Sequence, residues 1–140
     1  MKCAIVFASL LALVGAVAVP EKRADYPDCG PTSGDLYVPD SIKVGEKFSA
    51  RYCSSQYSKT SSKSITLAID AKGGKDVNGA VILTDELTSD NGKKYDFEAE
   101  LPAGQTTFSG NLNLIVVEKI NDYSVPSSYV VFTKEIKVGA

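Results

Sequence analysis

Two segments of this chain alternate without error between side chains that avoid water and side chains that tolerate it. Ile65, Leu67 and Ile69 are separated by Thr66 and Ala68. Tyr95, Phe97, Ala99 and Leu101 are separated by Asp96, Glu98 and Glu100. A period of two puts every apolar residue on one side of an extended strand, whereas a helix would scatter them around its circumference. No segment of the chain beyond its leader repeats apolar residues with helical spacing, so the chain is constrained to be all-β.

Other segments extend the pattern. Phe48, Ala50 and Tyr52 form one strand face, with Lys47, Ser49 and Arg51 on the other. Leu36 and Val38 point one way before Pro39 ends that strand at an edge. Residues 80–84 are apolar on both faces and read as a short central strand. Leu112, Leu114 and Val116 continue the core set, and Ile115 and Val117 make that strand apolar on both faces too, as in a central strand. The last strand, 129–138, buries Val130, Phe132, Ile136 and Val138. Lys134 interrupts that face, which calls for a bulge or a covered aliphatic stem.

Turn residues punctuate these strands. Asn91-Gly92 reads as a type I′ hairpin turn, because both residues tolerate positive φ. Gly73-Gly74 and Pro102-Ala103-Gly104 mark other turns, and residues 85–90 carry no clear period. Seven or eight short strands at this spacing describe an immunoglobulin-like antiparallel β-sandwich. The Cys–Trp–Cys core of antibody domains is missing, since the chain has no tryptophan.

The 140 residues suffice for one domain. Residues 1–18 read as a signal peptide: Lys2, an apolar stretch over 4–14, and Ala16-Val17-Ala18, with cleavage after Ala18. Residues 19–23 form a short pro-segment ending in Lys22-Arg23, a dibasic pair resembling the site of kexin-type Golgi proteases. Residues 24–34 hold two prolines and two glycines beyond Ala24 and read as an extended arm. The sandwich then spans 35–140. The expected localisation is secreted and extracellular.

Removal of residues 1–23 leaves 12 of the 15 Lys and Arg and 16 of the 17 Asp and Glu, a net charge of −4. That balance opposes a nucleic-acid partner, whose phosphates call for a basic face. No later apolar run is long enough to span a bilayer. Cys3 lies in the leader, so Cys29 and Cys53 remain as a pair in an oxidising compartment, where a disulfide is the expected outcome. Cys53 falls out of phase with the apolar set, which requires either a bulge or a disulfide at the sheet rim.

The chain contains no histidine. That removes a Ser-His-Asp triad, a Cys-His pair and His-ligated zinc or copper. Two cysteines alone make a poor zinc site, and no cofactor or metal is expected. Glu98 and Glu100 lie about 7 Å apart on one strand face, a separation glycosidases use. That face looks into water, however, where nothing raises an acid's pKa. Asp85-Glu86 and Asp90-Asn91 offer oxygens without the spacing of a calcium loop. The residues therefore lead to the expectation of a chain that is not an enzyme.

Binding is what remains. Residues 54–63 and 121–128 are polar loops that an immunoglobulin-like fold brings to the same end, one carrying Tyr57 and the other Tyr123 and Val125. A tyrosine among serines is the composition that antibody loops use for contact.

The opening of the domain resembles a known family. Val38, Pro39, Ile42, Gly45 and Phe48 match the Val-Pro-x-x-Ile-x-x-Gly-x-x-Phe type of start of fungal necrosis-inducing secreted proteins. That resemblance implies a secreted β-sandwich effector that binds a host protein and suppresses signalling by plant immune receptor kinases. The Cys29 arm departs from the family's pattern. A cell-wall or carbohydrate-associated binding module is the alternative expectation.

Overall fold

The computed structural model describes residues 24–31, 34–55, 60–70, 79–89, 91–103, 108–122, 124 and 127–139. Among them there are eight strands and no helix: β1 (Asp35–Tyr37), β2 (Ser41–Lys43), β3 (Lys47–Cys53), β4 (Thr60–Asp70), β5 (Ala80–Ile82), β6 (Lys94–Glu100), β7 (Gly110–Asp122) and β8 (Ser128–Gly139). They form a three-stranded sheet, β1-β3-β6, and a five-stranded sheet, β2-β8-β7-β4-β5. Pairing is antiparallel except where β2 runs parallel to β8. The two sheets pack as an immunoglobulin-like β-sandwich.

The core follows the period of two. Leu36, Phe48, Ala50, Tyr52, Tyr95 and Ala99 face inward from the smaller sheet. Ile65, Leu67, Ile69, Leu112, Leu114, Val116, Ile136 and Val138 meet them from the larger one. Apolar area leaves water only if each strand turns the same parity inward, so the alternation and the sandwich are one constraint.

Several details differ from the sequence expectation. Residues 80–84 do not form a central strand: β5 is three residues long and lies at the edge of the larger sheet. Its Val81 packs against the core, while Ile82 projects outward into solvent. Loop 54–63 is shorter than expected, because β4 already begins at Thr60. The inward face of β8 fades toward its start, with Val130 and Phe132 only partly buried.

Asn91-Gly92 does not close a hairpin either. The flanking strands β5 and β6 belong to different sheets, so this turn carries the chain across the sandwich. Gly92 has φ of 63°, but no non-glycine residue has positive φ among the described residues, which rules out type I′. The Asn91 side chain folds back locally instead, its Oδ1 accepting from the N–H groups of Lys93 (2.9 Å) and Lys94 (3.1 Å).

Two questions left open by the sequence are decided. The β3–β6 register runs unbroken from Lys47↔Glu100 to Cys53↔Lys94, so no bulge intervenes before Cys53. The disulfide leaves from the strand's last residue, at the sheet rim. The β7–β8 register is also unbroken at Lys134. That residue is a covered stem, whose Nζ donates to the Leu36 carbonyl at 2.7 Å and ties β8 to β1 across the sandwich.

Candidate functional site

Cys29 and Cys53 form the expected disulfide, with Cα atoms 5.4 Å apart. It fastens the arm to the outer face of the smaller sheet, where further contacts hold it. The Tyr26 hydroxyl donates to the Ser49 carbonyl at 2.8 Å, and its ring stacks on Tyr37 with centroids 6.1 Å apart. Arg51 donates from Nη1 to the carbonyls of Tyr26 (2.7 Å) and Pro27 (3.0 Å), and from Nε and Nη2 to the two carboxylate oxygens of Asp96 at 2.6 and 3.1 Å. One guanidinium thus bridges β3, β6 and the arm, using the fork geometry that suits a carboxylate.

The sandwich interior holds a polar group that sequence reasoning passed over. Glu118 of β7 is fully buried. Its Oε2 accepts from the Tyr52 hydroxyl at 2.8 Å, and its Oε1 accepts from the Ser54 hydroxyl. Tyr95 lies next to Tyr52, ring centroids 6.3 Å apart, and shares a 2.6 Å hydrogen bond with Ser62. Burial, reinforced by the charge of Glu118, pushes the Tyr52 phenol well above its ordinary range. Burial also raises Tyr95, and the charge of Glu118 adds to it while the Ser62 hydrogen bond works the other way. The signal was available: Glu118 stands in phase with Leu112, Leu114, Val116 and Ile120, all inward-facing.

The opposite parity of β7 faces out of the larger sheet. There the register builds three cross-strand rows: Ser64, Lys119 and Tyr129; Thr66, Val117 and Val131; and Ala68, Ile115 and Thr133, with Ile82 beside Ala68. Tyr129, Val131 and Ile82 are 65%, 61% and 68% exposed. β7 is the middle strand of its sheet, as its double-sided apolar pattern implies, but only one of its faces is covered by the other sheet. On this open face Tyr129, Val131 and Ile82 are the exposed apolar side chains, Val117 and Ile115 are half-buried between them, and Ala68 is buried. The same face holds a groove of about 160 Å³ lined by Ser64, Thr66, Glu86, Val117, Lys119 and Tyr129. The Ser64 hydroxyl donates to Glu86 within it.

Of the other residues singled out in the sequence, Tyr57, Tyr123 and Val125 lie outside the described residues, as do Ala18, Lys22 and Arg23. The strand ends nearest the two tyrosine loops do pair, Thr60 with Asp122 and Ser128 with Ile120. Glu98 and Glu100 are exposed on the outer face of β6. Among the described residues, no group of three or more Cys, Asp or Glu is placed to hold a metal ion, and no helix is long and apolar enough to cross a membrane.

These features define a class: a cystine-clipped, immunoglobulin-like sandwich with one open apolar sheet face. No protein-family model matches the chain, and no curated protein sequence matches it significantly. Solved structures do. The chain is similar to a superoxide reductase (neelaredoxin) from Ignicoccus hospitalis, with 19% identity over 75% of this chain and 79% of that one, and a TM-score of 0.53. A single-substitution variant of the same reductase gives 18% identity over 74% and 79%, with a TM-score of 0.51.

At this identity the likeness establishes the shared fold. It also corrects the expectation that the chain is not an enzyme. That expectation rested on missing side-chain chemistry, yet the solved structures named above are a superoxide reductase and its variant.

Proposed function

We propose that this chain is a secreted effector-like protein that docks a host protein on the outer face of its five-stranded sheet. The observation that carries the reading is the exposure of Tyr129, Val131 and Ile82 on that face, with half-buried Val117 paired to Val131. A contiguous apolar surface left in water marks an interaction site more often than it marks chance. An aromatic and aliphatic centre ringed by polar and charged groups is the composition of a protein-binding surface. Here the rim includes Lys119, Glu135, Lys137 and Glu86, charges of both signs, which suits a protein partner better than a polyanion. Tyr129 is the one exposed aromatic of this face among the described residues, a poor platform for sugar rings, so a carbohydrate ligand is the weaker reading. Secretion is supported by the leader and by the disulfide, which persists in oxidising compartments. The resemblance of the Val38–Phe48 opening supports a plant immune receptor kinase as the kind of partner.

The test uses the secreted protein and its Val131→Lys and Ile82→Lys variants. Binding to purified ectodomains of host receptor kinases is expected for the wild type and lost in both variants. Equal binding by all three, or by none, rejects the sheet face as the docking site. Sedimentation with chitin and glucan tests the carbohydrate alternative, and light scattering tests whether the face covers itself by dimerising. The likeness to superoxide reductases makes a superoxide-consumption assay of the purified protein the direct check for catalysis.

A further inference from the structure

The outer face of β6 carries three acids at alternate positions, Asp96, Glu98 and Glu100. Two of them have a cation facing them. Asp96 holds Arg51 in a two-pronged pair, and Glu100 stands opposite Lys47 in the β3–β6 register. The middle acid, Glu98, stands opposite the uncharged Ser49 and has no ion-pair or hydrogen-bond partner among the described residues. A positive charge placed beside it would meet an unpaired carboxylate with another carboxylate two residues away on either side.

The arm brings the chain to that place. Tyr26 is bonded to the carbonyl of Ser49, the register partner of Glu98. Two residues earlier, Ala24 lines a surface pocket of about 290 Å³ together with Ser49, Glu98, Glu46 and Lys47. Of the two acids in that pocket, Glu46 is already paired with Lys43 at 3.7 Å. Ala24 also lines an adjoining pocket with Arg51 and Asp96. It carries no charge while its nitrogen is part of a peptide bond, and in the sequence it directly follows Lys22-Arg23.

We infer that Glu98 is the receptor for the α-amino group created by hydrolysis of the Arg23–Ala24 peptide bond. Water adds across that bond, leaving a carboxylate on Arg23 and an ammonium group on Ala24, because an α-amine is largely protonated at neutral pH. The new cation completes the row Arg51, Ala24 and Lys47 against Asp96, Glu98 and Glu100. Maturation thereby adds an electrostatic clasp to an arm that the disulfide holds only at Cys29. The uncut precursor has the disulfide but lacks the clasp.

The experiment starts from the intact mass and N-terminal sequence of the secreted protein, which are expected to begin at Ala24. Selective acetylation of that α-amine is expected to lower Tm by about 1–3 °C, the scale of one exposed ion pair in a chain of this size. The same acetylation in a Glu98→Gln background is expected to change nothing. A Lys22→Ala/Arg23→Ala chain that stays uncut should match the acetylated wild type. A secreted chain that begins elsewhere, an unchanged Tm on acetylation, or an equal fall in the Glu98→Gln protein overturns the inference.

Discussion

The Tyr52 hydroxyl of β3 donates to the Glu118 carboxylate of β7 across 2.8 Å, joining the two sheets of the sandwich through a fully buried charge. Ser54 donates to the other oxygen, so the carboxylate is met by two hydroxyls from the smaller sheet's side. A buried charge is tolerated when it is this well hydrogen-bonded, and removing one member strands the others. Glu118→Ala is expected to lower stability by about 2–4 kcal/mol, because two buried hydroxyls lose their acceptor. Glu118→Gln, which keeps the shape and one acceptor oxygen, should lose about half as much. Urea unfolding checks both, and equal stability of all three proteins would show that the network is energetically idle.

The same network fixes an alkaline response. Tyr52 and Tyr95 are both raised in the folded state, burial being the main cause in each; the charge of Glu118 comes second for Tyr52, and for Tyr95 it adds to burial against the opposing Ser62 hydrogen bond. A raised acid keeps its proton when folded and releases it at about pH 10 when unfolded. Its contribution is therefore complete below pH 10 and declines as pH rises above that value toward the folded pKa. The decline is about 1.4 kcal/mol per pH unit for each such proton. Denaturation between pH 8 and 11.5 should show a plateau and then a fall, and Tyr52→Phe should flatten that fall relative to its own plateau. A Tyr52→Phe profile parallel to the wild type would remove Tyr52 from the account.

The disulfide closes a loop over a sequence separation of 24. In the chain-entropy description this stabilises the fold by about 3–4 kcal/mol. Cys29→Ser/Cys53→Ser should fall by that amount and should expose the arm to proteolysis first, since only non-covalent contacts such as those of Tyr26 and Arg51 then hold it. Limited digestion with mass analysis reads this directly. Cleavage that begins elsewhere than residues 24–31 contradicts the clip.

Gly92 combines a φ of 63° with a close approach to β4: a Cβ added there would lie 3.0 Å from the Ser62 carbonyl oxygen. Gly92→Ala is expected to destabilise by about 1–2 kcal/mol, from the left-handed backbone and the crowding together. Thermal unfolding is sufficient to measure it, and a neutral effect would mean that this turn adjusts freely.

Substitutions on the open sheet face should behave in the opposite way. Val131→Lys and Ile82→Lys replace side chains that are already in water, so their stability should change by no more than about 0.5 kcal/mol. A large loss of stability in either would mean that the patch is part of the core and not a surface for partners.

Much of the sandwich was legible because a period of two leaves one arrangement that hides the apolar face. Tyr95, Ala99, Ile65, Leu67 and Ile69 face inward as their alternation requires. The disulfide was legible from cysteine count and compartment. Residues that could be read two ways were misassigned. The 80–84 segment, apolar on both sides, is an edge strand and not a central one. Asn91-Gly92 has the composition of a hairpin turn but serves as a crossing between sheets, a distinction made by residues far away in sequence.

The amino-acid sequence by itself determined which residues are extended, which parity of each strand avoids water, and that Cys29 and Cys53 would join. Those outcomes depend on local geometry and on transfer from water, which every residue carries with it. Only the tertiary structure decided that Glu118 would be satisfied by Tyr52 and Ser54, that the second apolar face of β7 would not be covered by the other sheet, and that Ala24 and Glu98 would line one surface pocket. Each of these depends on which strands become neighbours, and that is set by the whole chain packing at once.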